Sequence, residues 1–161
     1  MKDLVVRKAK KSDMKEVLSM IIELAKFEKS ENEVQTTVKQ LQKDGFGENN
    51  YFDVLIAEYQ NKVCGYALFY RGYSTWKGTT LYLEDLMVRE PFRNKGVGER
   101  LFKEITNIAN KRKVKRLDWQ VLDWNLSAIR FYKKQQATIE SGWLNGRLFQ
   151  KEINAYKNEG I

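Results

Sequence analysis

The chain has 161 residues, 42% of them apolar, and a net charge of +8. That is enough for one domain, 1–161, with a buried core, and no apolar run approaches the roughly 20 residues that span a bilayer. One cysteine, Cys64, and no histidine exclude an internal disulfide, a Cys/His zinc site and any triad that needs histidine, so no metal is expected and carboxylates, tyrosines, lysines and the backbone must carry the chemistry.

The amino-terminal stretch MKDLVVRKAKKSDMKEV is broken by charges where a signal peptide needs its apolar core, which predicts a cytoplasmic protein. Within it DLVVRKA alternates as a strand does. Ser12, Asp13 and Glu16 then resemble a capping-box start for a helix whose Val17, Leu18, Ile21, Ile22, Leu24 and Ala25 form one apolar face. A second helix is predicted over 33–43, ended by the breaker DGFG. The period then changes from helical to alternating. DVLIAEY, KVCGYALFY and TTLYLEDLMV read as three strands, joined first by a hairpin turn at QNK and then by a longer loop, RGYSTWKG. Pro91, the single proline, closes the third. Val97, Leu101, Ile105, Ile108 and Ala109 recur at helical spacing over 96–112. VKRLDWQVL is a further strand, NLSAIRFYKKQQ a helix and GRLFQKEI a last strand. The order βααβββαβαβ is an α/β domain with a central mixed, mostly antiparallel sheet flanked by helices.

Charge is polarised along the chain. Residues 89–116 carry ten Lys/Arg against three Glu, a net of +7, whereas residues 13–58 carry ten acidic against five basic residues, a net of −5. Such a protein can hold an anion with one region and attract a cation with the other.

At EPFRNKGVGERLFKEI a strand hands over to a helix through Arg93, Gly96 and Gly98. Glycines there allow positive φ and close approach of a ligand, and the first helical turn leaves N–H groups without intrahelical acceptors at the positive end of the dipole. Pyrophosphate suits that place. The dinucleotide-binding fingerprint is not met, because Leu101 stands where a third glycine would fall, and the Walker Lys-Ser/Thr pair is missing.

The run LYLEDLMVREPFRNKGVGERL resembles motif A of the GNAT superfamily of N-acetyltransferases. With ELAKFEKSENEV, DGFGENN, YSTWKG, VLDWN and FYKK the resemblance extends over most of residues 3–137. It points to the diamine acetyltransferase branch, with its spermidine/spermine and thialysine types. Ser74 stands where the spermidine/spermine type carries aspartate, and Gln136 stands where the family usually places a glycine after the FYKK helix.

The resemblance implies direct attack of a primary amine on acetyl-CoA in a ternary complex, by a homodimer acting on a small-molecule amine, with neither nucleic acid nor membrane as partner. An alkylammonium of pKa about 10.4 is neutral about once in a few thousand molecules at pH 7, so proton removal is central. The family assigns it to Glu84 through water. An ordinary carboxylate near 4.3 lies about 6 units away, or about 8 kcal/mol, too far for simple full transfer. Glu84 is therefore expected to orient and stabilise the ammonium. Tyr132 aligns with the general acid for the departing thiolate. Leu86, Met87 and Val88 correspond to the strand that pairs with the pantetheine arm, and Arg93, Asn94, Lys95, Gly96, Val97, Gly98 and Glu99 to the pyrophosphate turn. Asn125, Leu126, Ser127 and Ala128 would contact the arm at the next helix start, where Asn125 reads equally as an N-cap. For the amine the resemblance points to Phe27, Glu28, Glu84, Asp118, Trp119 and Gln120, with Trp76 and Trp119 open to either cation–π contact or core packing. The alternatives are a protein N-acetyltransferase of the same fold, a CoA-binding fold without catalysis, and a nucleic-acid-binding module built on the basic helix.

Overall fold

The computed structural model describes residues 1–156. Two compact units are present, Met1–Gln120 and a second from Val121 onward. The first contains β1 (Leu4–Lys8), α1 (Met14–Phe27), α2 (Val38–Phe46), β2 (Asp53–Tyr59), β3 (Lys62–Ser74), β4 (Gly78–Val88), α3 (Val97–Lys111) and β5 (Arg116–Asp118). These strands form one sheet in the order β1-β2-β3-β4-β5, antiparallel through β4 and parallel between β4 and β5. The expected α/β class with a mixed, mostly antiparallel sheet is what the chain adopts.

Each face of the sheet buries its own core. On one face Met14, Val17 and Met20 of α1 and Leu41 of α2 pack with Val54, Ile56, Tyr66, Leu68 and Met87. The alternate strand residues Leu55, Ala57, Ala67, Phe69, Leu81 and Leu83 are buried on the other. Helix α3 contributes Val97, Leu101, Phe102 and Ile105 as its buried stripe and packs on β1 to β4. The Arg89 guanidinium fixes α1 over the sheet by pairing with Glu16 at 3.1 Å and Glu23 at 3.2 Å while donating to the Val63 carbonyl at 3.1 Å.

The hairpin expected at QNK is a two-residue turn in which Gln60 (φ 49°) and Asn61 (φ 61°) are both left-handed, the type I′ geometry that matches strand twist. Several boundaries differ from the sequence reading. Asp13 does not cap α1; its carboxylate turns back to accept from the Lys10 N–H at 2.6 Å and from Arg7 at 2.7 and 3.1 Å. The second helix starts at Val38, because Thr37 Oγ1 accepts from the Gln40 N–H at 3.1 Å, and it runs through Gly45 to Phe46. The loop predicted from Arg71 is mostly strand, since β3 and β4 pair out to Ser74 and Gly78. Trp76 sits at the tip of that hairpin, 84% exposed.

The second unit holds α4 (Leu126–Lys134) and α5 (Gln150–Ala155). The last strand expected over 146–153 does not form. Residues 137–149 carry no regular structure, and no strand is found among the described residues of this unit to share a ladder. The chain satisfies its backbone locally instead, with the Glu152 carboxylate accepting from the Phe149 N–H at the start of α5.

Three helices end in the same way without glycine. Lys29, Lys113 and Gln136 have φ of 58°, 54° and 63°. After α4 the Gln136 N–H donates to the Lys133 carbonyl and the Ala137 N–H to that of Tyr132, which is a Schellman closure. The helix thus obtains its left-handed residue from glutamine, at a conformational cost that glycine avoids. Gln136→Gly is expected to stabilise the protein by about 0.5–1 kcal/mol, read as a raised thermal midpoint; a lowered midpoint would show that the glutamine side chain outweighs the strain.

Candidate active site

A β-bulge builds the acidic part of the site. Leu68 pairs with Asp85 and the next β3 residue, Phe69, pairs with Leu83, so Glu84 is an extra residue without a partner on β3. Strict alternation would send Glu84 and Asp85 to opposite faces. The bulge instead turns both toward the face covered by α1 and α2. There Tyr66, two positions before Leu68, donates its hydroxyl to Asp85 Oδ2 at 2.7 Å, and Tyr70 donates to Glu84 Oε2 at 3.1 Å. Tyr70 stacks on Tyr82 with ring centroids 5.3 Å apart.

These groups are electrically strained. Burial raises the Asp85 carboxyl to about 6, opposed by the Tyr66 hydrogen bond and assisted by the negative charges of Glu84 and Glu28. Burial and then the Asp85 charge hold the Tyr66 phenol well above its ordinary value. Burial and the Glu84 charge push Tyr70 up to about 12. Glu28, just past the end of α1, is raised by burial. Glu84 itself is exposed and Asp85 partly buried. A cluster of carboxylates backed by neutral phenols is short of positive charge, and a cation entering it would relieve the repulsion.

Along β4 the backbone opens. Strand β5 pairs with it only from Thr80 to Tyr82, so no other strand among the described residues takes up the β5-side edge at Leu86, Met87 and Val88. These three pair with β3 alone, opposite Ala67, Tyr66 and Gly65. The chain then reaches the glycine turn. Asn94 has φ 57° and Gly96 φ 83°, and Gly96 is the N-cap of α3, which no side chain caps. A Cβ built on Gly96 meets nothing within 4 Å. The protein therefore needs glycine there for its dihedral angle, and the space beside it is open. Lys95 Nζ donates to the Pro91 carbonyl at 2.7 Å and Arg93 Nε to the Val88 carbonyl at 2.9 Å, so both cations shape the turn. The Arg93 guanidinium carbon also lies 5.8 Å from the Phe27 ring centroid, which brings the turn beside the end of α1.

The first unit thus gathers Phe27, Glu28, Glu84, the β4 edge and the turn from Arg93 to α3. Asp118 is held by Arg116 Nε at 2.6 Å. Trp119 packs edge-on against the buried Phe102 at 5.6 Å. Gln120 is exposed. In the second unit Asn125 does serve as an N-cap, accepting from the Ala128 N–H at 3.1 Å and from Ser127 Oγ at 3.0 Å. Leu126 is 59% exposed. Tyr132 is buried in α4 with its ring edge-on to Phe131 at 5.2 Å.

Other features lie elsewhere. A cavity of about 470 Å³ is lined by Phe46, Phe52, Phe69, Ile108 and Arg112 among others, at the end of α3 remote from Gly96, and shares no lining residue with the groups above. Cys64 is fully buried, its thiol donating to the Ala57 carbonyl at 3.3 Å and pushed up by burial, which makes it a poor nucleophile. Among the described residues no His, Cys, Asp and Glu cluster is placed to hold a metal ion, and no helix is long and apolar enough to cross a membrane.

Sequence reasoning missed Asp85, Tyr66 and Tyr70. A signal was there: LYLEDLMV sets two adjacent acids inside an alternating strand, where one would have to enter a core unless the strand bulged.

In the first unit an open strand edge thus leads to an uncapped helix start beside an acidic face. The chain matches the acetyltransferase (GNAT) family over residues 18–137, and it belongs to that family. It is 38% identical over 153 residues to thialysine N-epsilon-acetyltransferase of Mus musculus, covering 88% of this chain and 90% of that protein. It is also 38% identical over 147 residues to the enzyme of that name from Caenorhabditis elegans, covering 89% and 91%. An integron cassette protein of V. cholerae shares the fold at a TM-score of 0.78 and 23% identity, over 98% of this chain and 99% of that one. The protein is an N-acetyltransferase.

Proposed function

We propose that the protein moves the acetyl group of acetyl-CoA to the primary amine of a small molecule, a diamine, polyamine or lysine-like amino acid such as thialysine. It would do so by direct attack in a ternary complex, acting as a cytoplasmic homodimer and one functional domain. The observation that carries this reading is the edge of β4 at Leu86, Met87 and Val88 that no other strand among the described residues takes up, which runs into the uncapped start of α3 at Gly96. Acetyl-CoA supplies an activated acyl group and a diphosphate. The β4 backbone beyond the reach of β5 suits the amide-bearing pantetheine arm, with Arg93 Nε already on the Val88 carbonyl, and the first-turn N–H groups of α3 suit the diphosphate. The open space at Gly96 fits such a ligand.

In this reading Glu84 holds the substrate ammonium, Glu28 adds negative potential, and Phe27 and the stacked Tyr70 and Tyr82 wall the alkyl chain. Asn125 positions the first turn of α4, and with it Leu126, Ser127 and Ala128, for the pantetheine arm. Tyr132 gives its phenolic proton to the departing thiolate. A phenol near 10 is slightly weaker than a thiol near 8.5, about 2 kcal/mol uphill, so a hydrogen bond to the developing thiolate suffices. Support for a small cationic substrate comes from the curated relatives' names and from the shortage of positive charge around Asp85.

The test is acetyl-CoA consumption across putrescine, spermidine, thialysine, lysine and a peptide panel. Turnover is expected with at least one small amine, at a kcat/KM at least tenfold above that for any peptide. Turnover with peptides alone would overturn the assignment in favour of protein acetylation.

A further inference from the structure

Resting on the reading of Glu84 as the ammonium's partner, we infer that Asp85, clamped by Tyr66 behind the bulge, is the positioning residue that stores the proton released by the substrate through Glu84. Three observations converge. The bulge puts the two carboxylates on one face, next to each other in the chain, and joins each to its own phenol. They are unequal in environment, Glu84 exposed and Asp85 partly buried with its oxygen fixed at 2.7 Å by a fully buried tyrosine. The groups that act on Asp85 are Tyr66 from β3, Glu84 beside it and Glu28 just past the end of α1.

Neighbouring acids pushed apart in proton affinity divide the work of proton transfer between them. An exposed carboxylate that must bind a cation is best kept charged. The acceptor is best made more basic. With Asp85 raised to about 6, against the ordinary 3.9 or so, the neutral amine is about a hundredfold easier to form than with an ordinary aspartate as acceptor. The Tyr66 bond keeps the Asp85 carboxylate from swinging out toward the ammonium, where it would compete with Glu84 as a plain ion partner.

The protons balance. One leaves the ammonium nitrogen through Glu84 and comes to rest on Asp85. The neutral amine forms its bond to the acyl carbon as the carbon–sulfur bond breaks. Its second proton is matched by the one that Tyr132 gives to sulfur, and Asp85 returns its own to solvent through the exposed Glu84.

The test is the pH dependence of kcat/KM for the best amine of the panel. In the wild type the logarithmic profile is expected to steepen by one unit of slope below about pH 6, the value to which Asp85 is raised. Asp85→Asn should abolish that extra slope and lower kcat at least tenfold, with the KM for acetyl-CoA within twofold. Tyr66→Phe, which removes the bond favouring the charged carboxylate, should move the break to higher pH; it serves also if Asp85→Asn does not fold. A residue with a merely structural role would leave the break where it is. Turnover in Asp85→Asn with an unmoved break, or a downward shift in Tyr66→Phe, overturns the inference and leaves the proposed function standing. Absence of turnover with every amine overturns both.

Discussion

Gly96→Val is expected to weaken acetyl-CoA binding at least a hundredfold while the fold survives. Two different consequences of one substitution separate here. The position has φ 83°, where a β-branched residue is strained by about 1–3 kcal/mol. That is a loss the domain can absorb. A Cβ there touches no protein atom within 4 Å, so packing adds nothing to the loss. Any penalty beyond the strain must come from whatever occupies the open space before α3, and a diphosphate drawn onto the first-turn N–H groups would meet the valine methyls directly. Isothermal titration with CoA, beside thermal unfolding without it, tells the two apart. Near-unchanged affinity would remove the α3 start from the binding site and send the search for the carrier elsewhere. Gly96→Ala, with similar strain and less bulk, should fall between the wild type and valine.

Tyr132→Phe is expected to lower kcat by tenfold to a thousandfold and to leave acetyl-CoA affinity within about twofold. The Asn125 cap begins the helix, the closure at Gln136 ends it, and the ring lies edge-on to Phe131; phenylalanine keeps all three. Rapid-quench measurement of the acetyl-transfer step against steady-state turnover provides the check. A turnover number equal to that of the wild type would take Tyr132 out of the reaction.

Much of the fold was readable because its signals are local. Alternation marked β2, β3 and β4, and the 3.6-residue stripe from Val97 to Ile108 marked α3, since each element buries one regular face. The failures sit where a distant residue decides the outcome. Asp13 looks like a cap in the sequence, yet Arg7 claims its carboxylate. Whether 146–153 becomes a strand depends on a partner strand, which no property of the segment reveals. Site residues divide along the same line. Gly96 stood out through its spacing and Asn125 through its place before a helix, whereas Glu84 and Glu28 came from the family resemblance alone. The partnership of Tyr66 with Asp85 did not stand out, because residues 19 positions apart meet only once the register of two strands is set, and that register turns on the bulge at Glu84.

The unpartnered position of Glu84 has a genetic corollary. Without this one residue Leu83 would still sit across from Phe69 and Asp85 across from Leu68, now as immediate neighbours in an unbroken ladder with every later side chain on its present face. A single inserted codon therefore separates a plain hairpin from one that turns two neighbouring acids to one face. An ancestor could have acquired that second acid without disturbing any other strand contact, and a descendant could lose it as quietly, remaining a sound fold.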